Sequence, residues 1–293
     1  MSKLLSANFM CIKKSKLFWA CIVVIILTVI YKVFCTPYDA YQLGMPYSAD
    51  DVLLGYVSPV GLLAALFCSL FLGREYHDGT LRNRIMAGYR RRDIYLANQS
   101  ACMLVLLVMA TVYILAACLL ALPVLEWGYI YSYSEEIQIG YREFLRINSS
   151  APDLAEAILL VFTSFFTTAV YCSLCTFLAM LHSERVFSVV SGFSVVYLFN
   201  HVGGWIADYA NGTKTILRLN GTTTWLEGDG AHILDRMPEG LIHFLADFMP
   251  GAQAERIFGR QYEHMPHIMV CSVILILLLT TLGIYLFDRK NIN

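Results

Sequence analysis

The run Ile268-Met-Val-Cys-Ser-Val-Ile-Leu-Ile-Leu-Leu-Leu-Thr-Thr-Leu-Gly-Ile-Tyr-Leu-Phe287 contains no charged residue. Crossing about 30 Å of hydrocarbon at 1.5 Å per residue takes roughly 20 apolar residues, so this stretch is long enough to span a bilayer. Near the other end of the chain Phe18–Phe34 has the same character, with Lys32 as its one charge. Working outward from these two gives six candidate spans: Leu17–Cys35, Val52–Leu72, Leu96–Leu122, Ala157–Leu181, Val186–Ala207 and His267–Phe287. The composition agrees. Of 293 residues 58% are apolar and 15% charged, with a mean hydropathy of +0.60. A soluble domain has about 45–50% apolar and a quarter charged residues. A net charge of −1 gives no basic field for phosphate backbones, so no nucleic-acid partner is expected. The expected fold class is all-α, a polytopic membrane protein forming a single domain over 1–293.

The first span is too long for a signal-peptide core and is followed by no small-residue cleavage site, so it reads as a retained span. Charge then orients the chain. With the N-terminus inside, the inner segments carry 13 basic and 5 acidic residues and the outer ones 7 basic and 17 acidic, with Lys32 inside the first span. The reverse orientation would put the six arginines between the second and third spans outside. Both termini are therefore expected to be cytoplasmic. Trp19, Trp127 and Trp205 fall at span ends as interface anchors. Pro59 falls within the second span, where a kink is tolerated if neighbours satisfy the freed carbonyl. The nine cysteines lie almost entirely in spans, and Cys172-Ser-Leu-Cys175 reads as apolar packing rather than a redox or metal pair.

Residues 1–16 read as a short amphipathic helix with Leu5, Phe9 and Ile12 on one face, lying in the membrane interface. Gly73–Tyr95, GREYHDGTLRNRIMAGYRRRDIY, is the most informative polar segment. Gly79-Thr80 offers a helix start with Thr80 as N-cap, and Gly88 a C-terminal stop. Asp93 is placed to cap the next span. The signals predict a helix over Leu81–Ala87 whose small apolar face is Leu81, Ile85 and Met86. Such a helix either docks into a partner's groove or is an ordinary charged loop.

The pattern Glu75…Gly79-Thr80…Arg82-Asn83…Gly88…Arg91…Ile94-Tyr95, set between the second and third of six spans, resembles the permease subunits of bacterial type-2 ATP-binding-cassette (ABC) exporters. It is most similar to the branch of antibiotic-peptide exporters and immunity permeases. The resemblance covers the chain by architecture and is specific mainly over Glu75–Tyr95. It implies that this loop is the coupling element, with Glu75, Gly79, Thr80, Leu81, Arg82, Asn83, Ile85 and Gly88 at the contact with an ATPase. The chain contains no G-x-x-x-x-G-K-[ST] loop, the signature of P-loop ATP binding. ATP would then be bound and hydrolysed by a separate P-loop ATPase subunit. This chain would be a non-enzymatic transport subunit without a cofactor of its own, paired with a second, identical or different, permease in a bacterial plasma membrane.

The outer segment 208–266 starts with turn signals at Asn211-Gly, Asn220-Gly and Glu227-Gly-Asp-Gly. Over Pro238–Phe258 it turns helical, with Leu241, Ile242, Leu245 and Phe248 at helical spacing and a break at Pro250-Gly251. These short helices are either re-entrant or lie on the surface. His264 and His267 beside Glu263 lack a third ligand, and Pro266 interrupts the helix that would align them, so no metal is expected. Glu135, Glu136 and Arg142 do not match the spacing of a membrane protease. Polar groups within spans are costly. The candidates are Asn98, Gln99, Ser173, Asn200, His201 and the hydroxylated face Thr163, Ser164, Thr167 and Thr168. That face, with Asn200, either lines a path or packs helices closely. A nearly uncharged path suits a peptide, drug or lipid-like cargo. The alternative is a non-transporting immunity or sensor subunit that binds a peptide at its outer loops.

Overall fold

The computed structural model describes residues 2–35, 49–125, 129–132, 145–148, 154–182, 185–210, 216–219, 222–225, 237–258 and 261–290. The turns at Asn211 and Asn220, and Trp127, Glu135, Glu136 and Arg142, lie outside them. The helices are α1 (Ser2–Lys14), α2 (Lys16–Phe34), α3 (Ala49–Leu54), α4 (Val57–His77), α5 (Thr80–Met86) and α6 (Arg91–Ala121), followed by α7 (Leu154–Leu181), α8 (Arg185–Ala210), α9 (Glu239–Phe248), α10 (Pro250–Phe258) and α11 (Met265–Arg289). Six stretches are long and apolar enough to cross a membrane: Lys16–Phe34, Val52–Tyr76, Arg91–Ala121, Ile158–Leu181, Val186–Ala207 and Tyr262–Arg289. The protein is an all-α, membrane-embedded bundle of the kind the apolar runs predict.

Two short antiparallel pairs stand outside the spans. β1 (Tyr129–Ser132) pairs with β2 (Leu145–Asn148), and β3 (Ile216–Leu219) with β4 (Thr222–Trp225). Leu219 pairs with Thr222 in register.

The second span departs from the expected kink. It is broken at Gly55-Tyr56 into α3 and α4, which puts Pro59 in the first turn of α4, where a missing N–H is cheap. The carbonyls at the break are satisfied from other helices. Lys32 Nζ donates to Gly55 O at 2.7 Å, and Tyr113 Oη to Val52 O at 3.0 Å. This gives the one charge of the first span a structural partner.

The main core joins α2, α3, α4, α6 and α7 through side chains such as Ile25, Val29, Phe67, Leu106, Met109, Tyr113 and Tyr171. Cys68, Cys102, Cys172 and Cys175 are fully buried in it, with Cys68 Sγ 3.5 Å from Cys172 Sγ. The third span starts at Arg91, ahead of its apolar run. With 31 residues α6 is about 46 Å long, so part of it stands clear of a 30 Å hydrocarbon layer. Asp93 sits in its first turn rather than at its N-cap, which is Arg90. A carboxylate there still complements the helix dipole.

The face of α1 also differs from its spacing. Leu4, Asn8 and Ile12 are buried, while Leu5 and Phe9 are exposed. The inward row carries a polar residue in its middle, which hides it from a hydrophobicity count.

At the other end of the bundle α9 and α10 form a helical hairpin broken at Met249-Pro250, as Pro250-Gly251 predicts. Ala246 packs with Ile206, Ala207 and Ala252, flanked by Leu245 and Met249, and Ile242 is buried, whereas Leu241 and Phe244 are exposed. α10 is enclosed, with Pro250, Gly251, Ala252, Gln253, Arg256 and Ile257 buried. A Cβ on Gly203 would come within 2.4 Å of Ala252 N, and one on Gly251 within 2.1 Å of Phe199 O. The backbones of α8 and α10 touch because both residues lack a side chain. Phe199 and Gly203 lie within the Val186–Ala207 stretch, so α10 packs directly against that candidate span and its backbone is covered by protein.

Candidate functional site

The segment between α4 and α6 turns twice. Gly79 has φ +68° and Gly88 φ +84°, left-handed values that glycine adopts without strain. Gly88 N donates to Ile85 O at 3.0 Å and Tyr89 N to Arg84 O at 3.2 Å. These two bonds form a Schellman stop. At the start Gly79, not Thr80, is the N-cap. Thr80 is the first helical residue, and its hydroxyl donates back to Glu75 O at 2.8 Å. The expected helix is thus present as Thr80–Met86, one residue earlier than Leu81–Ala87.

A buried polar network holds this helix. Arg84 forks onto Glu75, with Nη2 at 2.7 Å from Oε1 and Nη1 at 3.2 Å from Oε2. Asn98 Nδ2 donates to Glu75 Oε2 at 2.9 Å. Asn98 Oδ1 accepts from Asn8 Nδ2 at 2.7 Å and from Arg84 Nη1 at 3.3 Å. Asn8 Oδ1 accepts from Arg84 Nη2 at 2.7 Å. The four side chains come from α4, α5, α1 and α6. Asn8 and Asn98 are fully buried and Glu75 nearly so. Bidentate, charge-assisted bonds are strong and directional, and at low local dielectric such a network fixes one arrangement.

Beside it Leu81 packs with Leu4, Ile94, Tyr95, Met180 and Phe287, flanked by Ile85. This corrects the expected docking face. Leu81 is buried and Ile85 half-buried, so both serve the bundle, while Met86 is 68% exposed. Arg82, Asn83 and Met86 form the outward surface of α5. A seven-residue helix between two apolar layers has an inner and an outer side, and spacing alone does not say which is which.

The same end is tied down by the chain's last residues. Arg91 Nη1 donates to Phe287 O at 3.1 Å, to Asp288 O at 3.2 Å and to Lys290 O. Lys290 Nζ donates to Leu181 O at 2.9 Å and Met180 O at 3.2 Å, and lies 4.4 Å from the Tyr76 ring centroid. Tyr76 Oη donates to Met180 O at 2.6 Å. Cations thus occupy the open carbonyls at the C-termini of α7 and α11, which helix ends leave unsatisfied. Burial lowers the Lys290 pKa from its ordinary value. Of this cluster the sequence flagged Glu75, Arg84, Arg91 and, as an intramembrane polar group, Asn98. Lys290 counted only as part of the charged tail after the last span, and Asn8 and Tyr76 gave no signal.

A second network lies at the opposite end. Arg256, fully buried, pairs with Asp247 Oδ1, and its Nη2 lies 3.1 Å from His243 Nδ1. His264 Nδ1 is 3.6 Å from the same Asp247 oxygen, and the His243 and His264 rings stack with centroids 6.1 Å apart. Gln253 Oε1 accepts from Thr167 at 3.1 Å and Ser272 at 3.0 Å, and Gln253 Nε2 donates to Asp247 O at 2.7 Å. His264 therefore faces Asp247 and His243. Among the described residues no group of three His, Cys, Asp or Glu side chains is placed to hold a metal ion.

The hydroxylated face of α7 is buried in the bundle. Thr163, Ser164, Thr167 and Thr168 are each 1% exposed or less. Thr167 joins the Gln253 network, and Thr168 donates to Ser164 O at 2.9 Å. Asn200 Oδ1 accepts from Tyr171 Oη at 2.7 Å. Thr163 Oγ1 and Asn200 Nδ2 have no partner among the described residues. His201 is exposed on α8 between the rings of Tyr197 and Trp205.

No protein-family model matches the chain and no curated protein matches it, so its function is argued from this geometry.

Proposed function

We propose that the chain is the permease subunit of an ABC transporter. In this reading both termini and α5 lie on the cytoplasmic side of a bacterial plasma membrane. A separate P-loop ATPase meets the outer face of α5, and a second permease completes the unit. The cargo is a peptide, a drug or a lipid-like molecule moved outward.

One observation carries the reading: a short helix, stopped by left-handed glycines at both ends, is bonded through Arg84 to three other helices while Arg82, Asn83 and Met86 face outward. An independent loop would need no such network. A push on the outer face of α5 would pass through Arg84 to Glu75 on α4, Asn98 on α6 and Asn8 on α1. Rigid, packed elements transmit displacement in this way. The positive charge excess at this end favours the cytoplasmic side.

The test is a pull-down of the solubilised chain from its native membranes, followed by mass spectrometry. A P-loop ATPase recovered in equal amount supports the reading. An intact, dimeric chain without any ATPase contradicts it and favours an immunity or sensor subunit.

A further inference from the structure

At the basic end a groove of about 420 Å³ opens between the start of α6 and the end of α11. Arg92, Thr281, Ile284, Tyr285, Asp288 and Arg289 line it. Arg92 Nε bonds to Asp288 Oδ2 at 2.9 Å, yet its side chain stays 72% exposed. The Arg289 guanidinium lies 4.3 Å from the Tyr285 ring centroid. The lining thus carries two cations and one carboxylate. The neighbouring cations Arg91 and Lys290 differ, since both are bonded to backbone carbonyls. Below the groove α11 exposes Ile274, Leu278, Leu282 and Tyr285 at helical spacing. This is an apolar stripe along a span that ends at two arginines.

We propose that this groove is a binding site for one acidic phospholipid, whose phosphate lies between Arg92 and Arg289 while an acyl chain follows the stripe of α11. A free anion would use only the cations and a neutral lipid only the stripe, whereas an acidic phospholipid matches both. Basic pockets at the ends of spans recognise anionic headgroups on these terms. The proposal concerns lipid alone and stands whether or not an ATPase partner exists.

The test is native mass spectrometry of the purified full chain with phosphatidylglycerol or phosphatidylcholine of identical acyl chains. The chain should retain one phosphatidylglycerol with a preference of roughly tenfold. Arg92→Gln with Arg289→Gln should abolish that preference. Arg74→Gln, at an exposed cation of the same end that pairs with Asp78 outside the groove, should keep it. Circular dichroism melts of all variants check that the fold is retained. Thr281→Trp, which fills the groove without changing its charge, should also lose the lipid. The proposal is overturned if the native chain shows no preference, if the preference survives the double substitution, if Arg74→Gln removes it equally, or if soluble glycerol phosphate displaces the lipid at millimolar concentration.

Discussion

The two ends of the bundle each hold a short helix by a buried arginine–carboxylate pair, but they do so differently. At the basic end Arg84 meets both oxygens of Glu75 and the amide oxygens of Asn8 and Asn98, and the two asparagines bond to each other. At the other end Arg256 meets Asp247 and His243, and its Nε has no partner among the described residues. The two ends are far apart, since Met265 and Phe287 on α11 are separated by roughly 33 Å at 1.5 Å per residue. A saturated network leaves one low-energy arrangement, whereas an unsatisfied buried donor costs free energy and leaves alternatives open. The Arg84 network is therefore the more completely bonded of the two.

The most direct way to break this comparison is to remove each arginine. Arg84→Ala strands the buried Glu75 carboxylate and should cost about 3–5 kcal/mol, read as a large fall in the thermal unfolding midpoint in detergent. Arg256→Met should cost less, about 2–3 kcal/mol, because Asp247 keeps His264 nearby and is 16% exposed on its side chain. Equal losses would erase the distinction.

Next in size are the two sides of α5. Leu81→Ala opens a cavity beneath Tyr95 and Phe287 and should cost about 2–4 kcal/mol. Met86→Ala, on the outer side, should stay within about 0.5 kcal/mol while weakening recovery of any ATPase. At the end that holds α10 adjacent glycines sharpen the contrast. Gly203→Ala drives a methyl against the backbone of Ala252 and should destabilise by about 1–3 kcal/mol, with faster hydrogen exchange in α10. Gly204→Ala meets nothing within 4 Å and should leave exchange unchanged. A further effect is at the first turn of the loop. Gly79→Ala also meets no atom within 4 Å, but φ +68° costs it about 1–2 kcal/mol, visible as a lower unfolding midpoint.

Much of this fold is legible in the sequence because a membrane demands runs of about 20 apolar residues, and such runs survive any error in detail. The turns between α4 and α6 are legible for a related reason, since left-handed backbone calls for glycine. What stays hidden is contact at long range. Asn8 and Asn98 are 90 positions apart, and nothing in either neighbourhood points to the other. The inward side of α5 depends on Leu4 and Phe287, from the two ends of the chain, so spacing could not separate Leu81 from Met86. The Asp247–Arg256 pair is masked by the break at Pro250, which folds two helices back on each other and removes the periodic relation between their residues. The thiol contact between Cys68 and Cys172 joins two different spans and is likewise invisible to a motif search.

The central claim is that the outer face of α5 meets an ATPase while its inner face holds the bundle. A photo-crosslinking residue placed at Met86 in native membranes tests it most directly, with one at Leu241, exposed at the opposite end, as the comparison. The account predicts a covalent adduct with a P-loop ATPase from position 86 and none from position 241. Adducts from position 86 with lipid or with this chain alone would contradict it.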